Sequence, residues 1–397
     1  MTESSTMPLH MRRVGFDPAP ELAALRDEEG IRRITTPFGL DVWLVTRYAE
    51  VRAVLGDAER FKIAQQTVAR LPGAPEMTPE QLAKIQAGNL LGVDPPEHTR
   101  LRKMLTPEFT NRRMQRLEPR IRRIVDDHLD AMEAAGSPAD LVPSFSLPIP
   151  SLVICELLGV PYEDRDGFQR RTSRMLDLSV PGEERLGLQF EARAYMEALV
   201  RRIQQDPGEE LLGMLVREHG DDLSTDELVG IGSLLLFAGH ETTSNMLALG
   251  TLALLRHPEQ LELLRKEPER IDATVEELLR WLSIVNSGTT KVATAEVELS
   301  GRTIQPGELV LCALPAANRD PALMPDASTF DISRGAPGHV AFGHGIHHCL
   351  GAPLARMELR IAFPALLQRF PGLREAGAAD FRASHIVYGM SSLEVAW

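Results

Sequence analysis

Cys349 stands near the end of Phe342-Gly343-His344-Gly345-Ile346-His347-His348-Cys349-Leu350-Gly351, and a helical stretch from Ala352 to Gln368 follows it. Two glycines ahead of the cysteine permit a tight, bulged turn, and the first turn of the following helix points backbone N–H groups at the sulfur. Both features favour a thiolate. A thiolate held by backbone donors is what haem iron needs when the chemistry is O–O cleavage, because the sulfur pushes electron density through the metal. Two other uses compete. A lone cysteine is more commonly a small buried hydrophobe, and His344, His347 and His348 invite a zinc site, although adjacent His347, His348 and Cys349 lack the usual gaps between zinc ligands.

A second chemical cluster is Ala238-Gly239-His240-Glu241-Thr242-Thr243, inside the longest apolar run of the chain. Gly239 lacks a side chain and a threonine hydroxyl can compete for a backbone carbonyl, so a local opening of the helix with room for a diatomic ligand is expected. Glu241 beside Thr242 places an acid next to an alcohol, which can pass protons to bound dioxygen before its bond breaks heterolytically. Taken alone, the same residues also fit a solvated charge and a hydroxyl bonded back to its own helix.

Two further pairs have helical spacing. Glu277 and Arg280 lie three apart, suited to an intrahelical ion pair. His98 and Arg102 lie four apart on one side of a helix, where they could clasp a propionate; without a partner site they are an exposed helix face.

Together these segments resemble the cytochrome P-450 superfamily. Every fixed position of its haem-binding signature, Phe-Gly-x-Gly-x-His/Arg-x-Cys-x-Gly, is met by Phe342, Gly343, Gly345, His347, Cys349 and Gly351. The resemblance implies haem b with Cys349 as axial thiolate and dioxygen as co-substrate. Phe342 then packs near the thiolate side of the haem, and His347, His98 and Arg102 hold its propionates. Ala238 and Gly239 border the haem in a segment similar to the oxygen-activation motif Ala/Gly-Gly-x-Asp/Glu-Thr-Thr, with Glu241 at the acid position and Thr242 at the alcohol position. Glu277 and Arg280 match the family's Glu-x-x-Arg motif, and Phe330-Asp331-Ile332-Ser333-Arg334 resembles the segment that adds Arg334 to a buried charge network. One departure is Lys291, which stands where the family often has an arginine reaching a propionate; it supplies charge without a bidentate fork.

By the same resemblance the substrate pocket is lined by the loop around Lys62 to Leu91, the helices around Phe168 to Tyr195, Leu234 and Ala238, Ile284 to Gly288 with Val285 and Asn286, and Tyr388 to Ser391 with Met390. These mixed apolar and small polar residues suit a bulky, largely apolar ligand, consistent with hydroxylation or epoxidation in bacterial specialised metabolism such as antibiotic biosynthesis. Monooxygenation consumes two electrons and the sequence has no flavin or iron–sulfur segment. Ferredoxin and a ferredoxin reductase drawing on NADPH or NADH are implied. The window from His98 to Arg123 holds nine Lys or Arg against Glu108 and Glu118, a candidate docking patch for an acidic carrier or else ordinary solvated helix faces. A peroxide-driven, ring-coupling or isomerising relative is the nearest alternative, and a non-catalytic haem sensor or carrier is the alternative of another class.

These residues must be positioned by a mainly helical chain. Ser224 and Glu227 form a capping box and His257-Pro258 closes the far end, predicting a central helix of about 33 residues and about 50 Å that crosses the whole molecule. Apolar spacing predicts further helices over Tyr48–Leu55, Met114–Met132, Phe190–Ile203 and Ala273–Leu282, and strands at Val42–Val45, Val297–Leu299 and Leu309–Cys312. Pro/Gly clusters at Leu71–Pro79 and Pro181–Glu184 predict loops. The fold class is mainly α with small β-sheets, and the resemblance specifies the cytochrome P-450 fold, a triangular helical prism around a buried haem.

Residues from 98 to 349 converge on one site, which favours a single domain over all 397 residues, with the first ten or so flexible. A net charge of -13 leaves no global basic surface for nucleic acid or anionic lipid. Cys155, Cys312 and Cys349 are too few and too scattered for a disulfide framework. His240, Glu241 and Asn245 interrupt the one long apolar tract, and charged groups at mid-bilayer cost roughly 3 kcal/mol each. A cytoplasmic monomer without a membrane anchor is expected.

Overall fold

The run of apolar residues around the Gly239 segment folds as one uninterrupted helix of 32 residues, Thr225–Arg256, in the computed structural model, which describes residues 7–36, 39–63, 78–161, 164–335, 338–382 and 384–397. Its start is fixed as the sequence predicts. Ser224 Oγ accepts from the Glu227 N–H at 3.2 Å, and the Glu227 carboxylate accepts from the Ser224 N–H at 2.7 Å.

The elements that position the site are, in chain order, α1 (Tyr48–Gly56), α2 (Glu97–Leu105), α3 (Asn111–Ala135), α4 (Pro148–Leu158), α5 (Arg165–Leu176), the long α6 (Thr225–Arg256), α7 (Ile271–Leu282) and α8 (Ala352–Arg369). Helix α6 packs against α4, α7 and α8, and α3 packs against α8. The helix Gly182–Gln205 starts two turns before its apolar spacing does, because its first turns are polar and exposed, and so it absorbs most of the loop expected at Pro181–Glu184. Residues 71–77 of the other expected loop lie outside the described residues; Thr78 caps the helix Pro79–Gln86.

Five strands form the main sheet: β1 (Ile31–Thr35), β2 (Asp41–Val45), β3 (Phe61–Ile63), β4 (Thr289–Ala293) and β5 (Leu309–Cys312), in the order β1-β2-β5-β4-β3. The β2–β5 pairing is parallel and the others are antiparallel. Lys291 is paired with Val310 on one side and Ile63 on the other, so its backbone is held from both edges. At the N-terminus residues 1–6 are outside the described set, and His10 is buried in the turn Leu9–Met11. Among the described residues no helix is long and apolar enough to cross a membrane.

On α7 the expected ion pair is present and fully enclosed, both side chains at 0% exposure. Arg280 Nε and Nη2 each donate to one oxygen of Glu277 at 2.7 Å, and its remaining N–H groups reach the carbonyls of Asn318, Ala327 and Thr329. Arg334 touches neither partner, which corrects the expected three-member network. It pairs with Asp331 at 3.1 Å, and only the Asp331 N–H continues to Glu277. The third buried guanidinium is Arg319, 4.4 Å above the Trp281 ring, donating to the Trp281 and Ser328 carbonyls, with its pKa pulled to about 9 by burial.

Removing one member of such a pair strands the other charge, at a cost of about 3–5 kcal/mol. Glu277→Gln should therefore lower the urea midpoint by that free energy and reduce the yield of folded protein. A variant that unfolds at the parent's midpoint would show that the carbonyl cage alone holds Arg280.

Candidate active site

The cysteine loop is closed by its own backbone. The Cys349 N–H donates to the Phe342 carbonyl at 2.9 Å, and the Gly343 N–H donates to the Val340 carbonyl at 2.9 Å. Gly343 and Gly345 adopt φ of 74° and 73°, and a Cβ on Gly345 would collide with the Leu55 carbonyl of α1. Only glycine allows the loop to lie against that helix. The sulfur accepts from the amides of Gly351 and Ala352 at the start of α8, as the sequence predicts. Burial pushes the Cys349 thiol up, while those amides and the guanidiniums of Arg102 and Arg356 pull it down; burial prevails. A bound metal ion would reverse that balance by deprotonating the thiol. Phe342 lies on the same loop under Arg356, whose guanidinium is 4.6 Å from its ring centre and is held by Glu276 at 2.6 and 2.8 Å. The zinc alternative gains nothing: among the described residues no group of three or more His, Cys, Asp or Glu is placed to hold a metal ion.

Four basic side chains from distant segments meet beside this loop. His98 and His347 meet at a tilt of 59° with ring centres 4.3 Å apart, and the Nε2 atom of each is buried without a hydrogen-bond partner. Lys291, 3% exposed, has no described carboxylate within ion-pair distance, and Arg102 donates to the His348 carbonyl at 2.9 Å. Burial depresses His98, Lys291 and His347, the last to about 3; the charges of Arg102 and Lys291 add to the effect on both histidines, and that of Lys62 adds to it on Lys291. Asp94, whose field favours the charged forms of His98 and Lys291, is engaged by the Ile63 N–H. Basic groups converging with two unpartnered imidazole nitrogens suit an anion. The two carboxylates of haem fit that chemistry, and the cluster brings together the expected residues His98, Arg102, Lys291 and His347.

Along α6, Leu234, Ala238 and Thr242 recur every fourth residue and form its accessible strip: Ala238 is exposed and the other two are half-buried, while Leu235, Leu236, His240 and Glu241 beside them are buried. Cys349 is accessible too, on a loop whose helix α8 packs against α6. Accessible side chains thus stand on two mutually packed elements.

Two details of α6 depart from expectation. The helix is not opened near Gly239: the Thr242 hydroxyl donates to the Ala238 carbonyl at 2.9 Å while the helix continues through the segment. Gly239 also permits close packing, since a Cβ there would lie 2.9 Å from Ile154 of α4. Glu241 and Thr242, neighbours in sequence, bond to different partners. Glu241 Oε2 accepts from Arg382 Nη1 at 3.2 Å and from Asn245 Nδ2 at 3.3 Å.

Several residues expected to line the substrate pocket are buried or half-buried and engaged by the N-terminal and C-terminal segments. Asn286 is buried, donates to the Met11 carbonyl at 2.7 Å and accepts from Arg13 Nε at 3.0 Å. The Tyr388 hydroxyl donates to the Gly15 carbonyl at 2.6 Å, and Arg13 lies 4.9 Å from the centre of its ring. Met390 and Ile284 are buried in the core, while Val285 is half-buried and bridged to Val387. Residues 64–77 of the expected lining loop are outside the described residues. Arg13 and Arg382 escape a reading of the sequence, because their partners lie more than a hundred residues away.

Comparison with known proteins gives consistent results. The family model described as Cytochrome P450 matches residues 203–373. The chain is 47% identical to "Cytochrome P450 FAS1" of Rhodococcoides fascians over 100% of both chains. It is 43% identical to "Mycinamicin IV hydroxylase/epoxidase" of Micromonospora griseorubida over 91% of this chain and 90% of that one. Among solved structures, the LnmA cytochrome P450 hydroxylase from the leinamycin biosynthetic pathway of Streptomyces atroolivaceus superposes with a TM-score of 0.87 at 41% identity, covering 97% and 98% of the two chains. The mainly helical architecture with small sheets is thus shared with solved members.

If the basic cluster receives the carboxylates of a cofactor, Lys291→Gln removes one charge-assisted bond, worth about 1.5–3 kcal/mol, and haem should pass to apomyoglobin about 10- to 100-fold faster. Lys291→Arg should retain haem as the parent does. Equal transfer rates for parent and Lys291→Gln would take Lys291 out of the site.

Proposed function

The chain belongs to the cytochrome P450 family of monooxygenases, and on that premise we propose that it inserts one atom of dioxygen into a bulky, largely apolar small molecule, by hydroxylation or epoxidation, in the tailoring of a bacterial specialised metabolite. One observation carries this reading: Cys349, whose sulfur the Gly351 and Ala352 amides face, lies on the loop that also brings His347 to the basic cluster.

Haem b, when bound, would supply the iron at which dioxygen is held and reduced. Cys349 would hold it through its sulfur. The Gly351 and Ala352 amides would meet the negative charge of that sulfur, and His98, Arg102, Lys291 and His347 would hold the two propionates. The strip of Leu234 and Ala238 leaves space on the opposite side, with the Thr242 hydroxyl at its edge. Glu241 is the acid that feeds protons toward that hydroxyl once its carboxylate turns from Arg382. The substrate class follows from the apolar character of this strip and from relatives named for hydroxylation and epoxidation.

Electrons come from a ferredoxin and its NADPH- or NADH-dependent reductase, with the protein acting as a cytoplasmic monomer that needs neither membrane nor nucleic acid. In the basic window, Arg100, Arg113, Arg120 and Arg122 are paired with acids and Arg102 serves the site. Lys103, Arg112, Arg116 and Arg123 are exposed and have no described partner, so they are the charges left for an acidic carrier.

The dithionite-reduced protein under carbon monoxide should show a strongly red-shifted Soret band that Cys349→Ala abolishes; a band typical of histidine ligation would overturn the reading. Arg112→Glu with Arg116→Glu should lower ferredoxin-supported turnover and flatten its salt dependence while leaving that spectrum intact. Unchanged turnover and salt dependence would remove this patch as the docking site.

A further inference from the structure

His240 precedes Glu241 on α6 and is wholly buried, at 0% exposure. Its Nδ1 lies 3.1 Å from the Leu236 carbonyl. A carbonyl only accepts, so Nδ1 carries the proton and the neutral ring presents a bare lone pair at Nε2. That atom is buried without a hydrogen-bond partner, 3.8 Å from Glu241 Oε1, which is buried and unpartnered as well. The carboxylate does not turn the orphaned oxygen elsewhere, because Arg382 and Asn245 hold Oε2. Two acceptors facing each other in the interior each carry the cost of an unmade hydrogen bond. A proton on either atom, with the pair closing from 3.8 Å to hydrogen-bond distance, removes both penalties.

We propose that His240 and Glu241 hold one proton in common, and that the pair is the store from which protons reach the dioxygen side of α6. The proposal rests on Glu241 and Thr242 being the acid and alcohol of the function proposed above. In the transfer, the N–H bond at His240 Nε2 breaks and an O–H bond forms at Glu241 Oε1, and the carboxylic acid then gives that proton up toward the Thr242 hydroxyl. No electron pair travels with it. Each turnover takes up two protons with the two electrons of the carrier, and the oxygen atom not inserted leaves as water.

The surroundings suit a store that must also refill. Among the described residues, the charged groups whose fields reach His240 are Glu241, which favours its protonation, and Arg382, which opposes it; on the α5 side the Phe168 ring lies 4.8 Å away. Burial is the larger influence and pulls the imidazole down, so the proton is held loosely. Arg382 leads outward to half-buried His385, whose Nδ1 is unpartnered and whose backbone is bridged to Asp177. That edge is the side from which solvent protons return. His240 acts through Glu241 and is a positioning and relay residue, not a group that touches substrate.

The test uses the haem-loaded enzyme. In its diamagnetic reduced carbonyl form, nitrogen-15 histidine resonances should include one imidazole that is lost in His240→Gln and that in Glu241→Gln stays neutral to lower pH, because the carboxylate that favoured its protonation is gone. An imidazole titration unmoved by Glu241→Gln would overturn the shared proton. In turnover, His240→Asn keeps a donor for the Leu236 carbonyl and His240→Gln fills the ring's place, yet neither titrates. Both should couple NADPH oxidation to product about tenfold less well or worse, lose the fall in coupling as pH rises, and retain the parent carbonyl spectrum. If both couple as the parent does while Thr242→Ala uncouples, the relay fails and the acid–alcohol reading stands. If Thr242→Ala leaves coupling intact, that reading fails, and the imidazole titration still decides whether the proton is shared.

Discussion

A sulfur anion survives inside a protein only where its charge is met by donors that need no reorganisation. Here those donors are the first amides of α8, and almost every other feature of the proximal side follows from putting them there. The loop must double back within a few residues, which Gly343 and Gly345 permit, and it must press on α1, which a Cβ at Gly345 would prevent. Arg356 lies one helical turn beyond those amides, adds positive field and covers Phe342. The Cys349 thiol is nevertheless pushed up by burial, and a metal ion at the sulfur would reverse that.

The basic cluster obeys the same logic with the signs exchanged. His98 from α2, Lys291 from β4 and His347 from the cysteine loop are held by three separate elements, so no local preference brings them together. Burial depresses each of them, and the charges of Arg102 and Lys291 depress the two histidines further, while the field of Asp94 favours the charged forms of His98 and Lys291. A dianionic cofactor bound there would offset that depression, and fold and cofactor would then stabilise each other. Lysine in place of arginine is consistent with this geometry, because β3 and β5 fix the backbone of Lys291 from both sides and the site asks for a charge more than for a planar fork.

Local patterns were legible in the sequence and long-range ones were not. The capped start of α6, the turn glycines before Cys349 and the Glu277–Arg280 pair are set by residues within four positions of one another, and each is found where its spacing places it. Arg334 was assigned to that pair by motif, but its side chain is captured by Asp331 three residues away, and Arg319 takes the buried place. Asn286 and Tyr388 look like pocket residues because of their positions in the chain. The N-terminal strap claims both through Met11, Arg13 and Gly15, and nothing in the composition of that strap announces it. Gly239 carried a cofactor meaning in the motif, and α4 also needs its bare backbone for close packing.

Sequence adjacency proves a poor guide to chemical adjacency on the dioxygen side as well. Glu241 and Thr242 are one residue apart, but 100° of helical turn sends the carboxylate toward the C-terminal segment and the hydroxyl back to Ala238. Arg382, 141 residues further along, closes over the carboxylate. Asn245, one turn beyond Glu241, ties it to the Met390 backbone, so the last strands of the chain and the middle of α6 share one hydrogen-bonded unit. The acid therefore cannot move without loosening a contact that the chain's end helps to hold. If Glu241 is the proton donor proposed above, its release requires a change in that unit, which the C-terminal segment helps to hold.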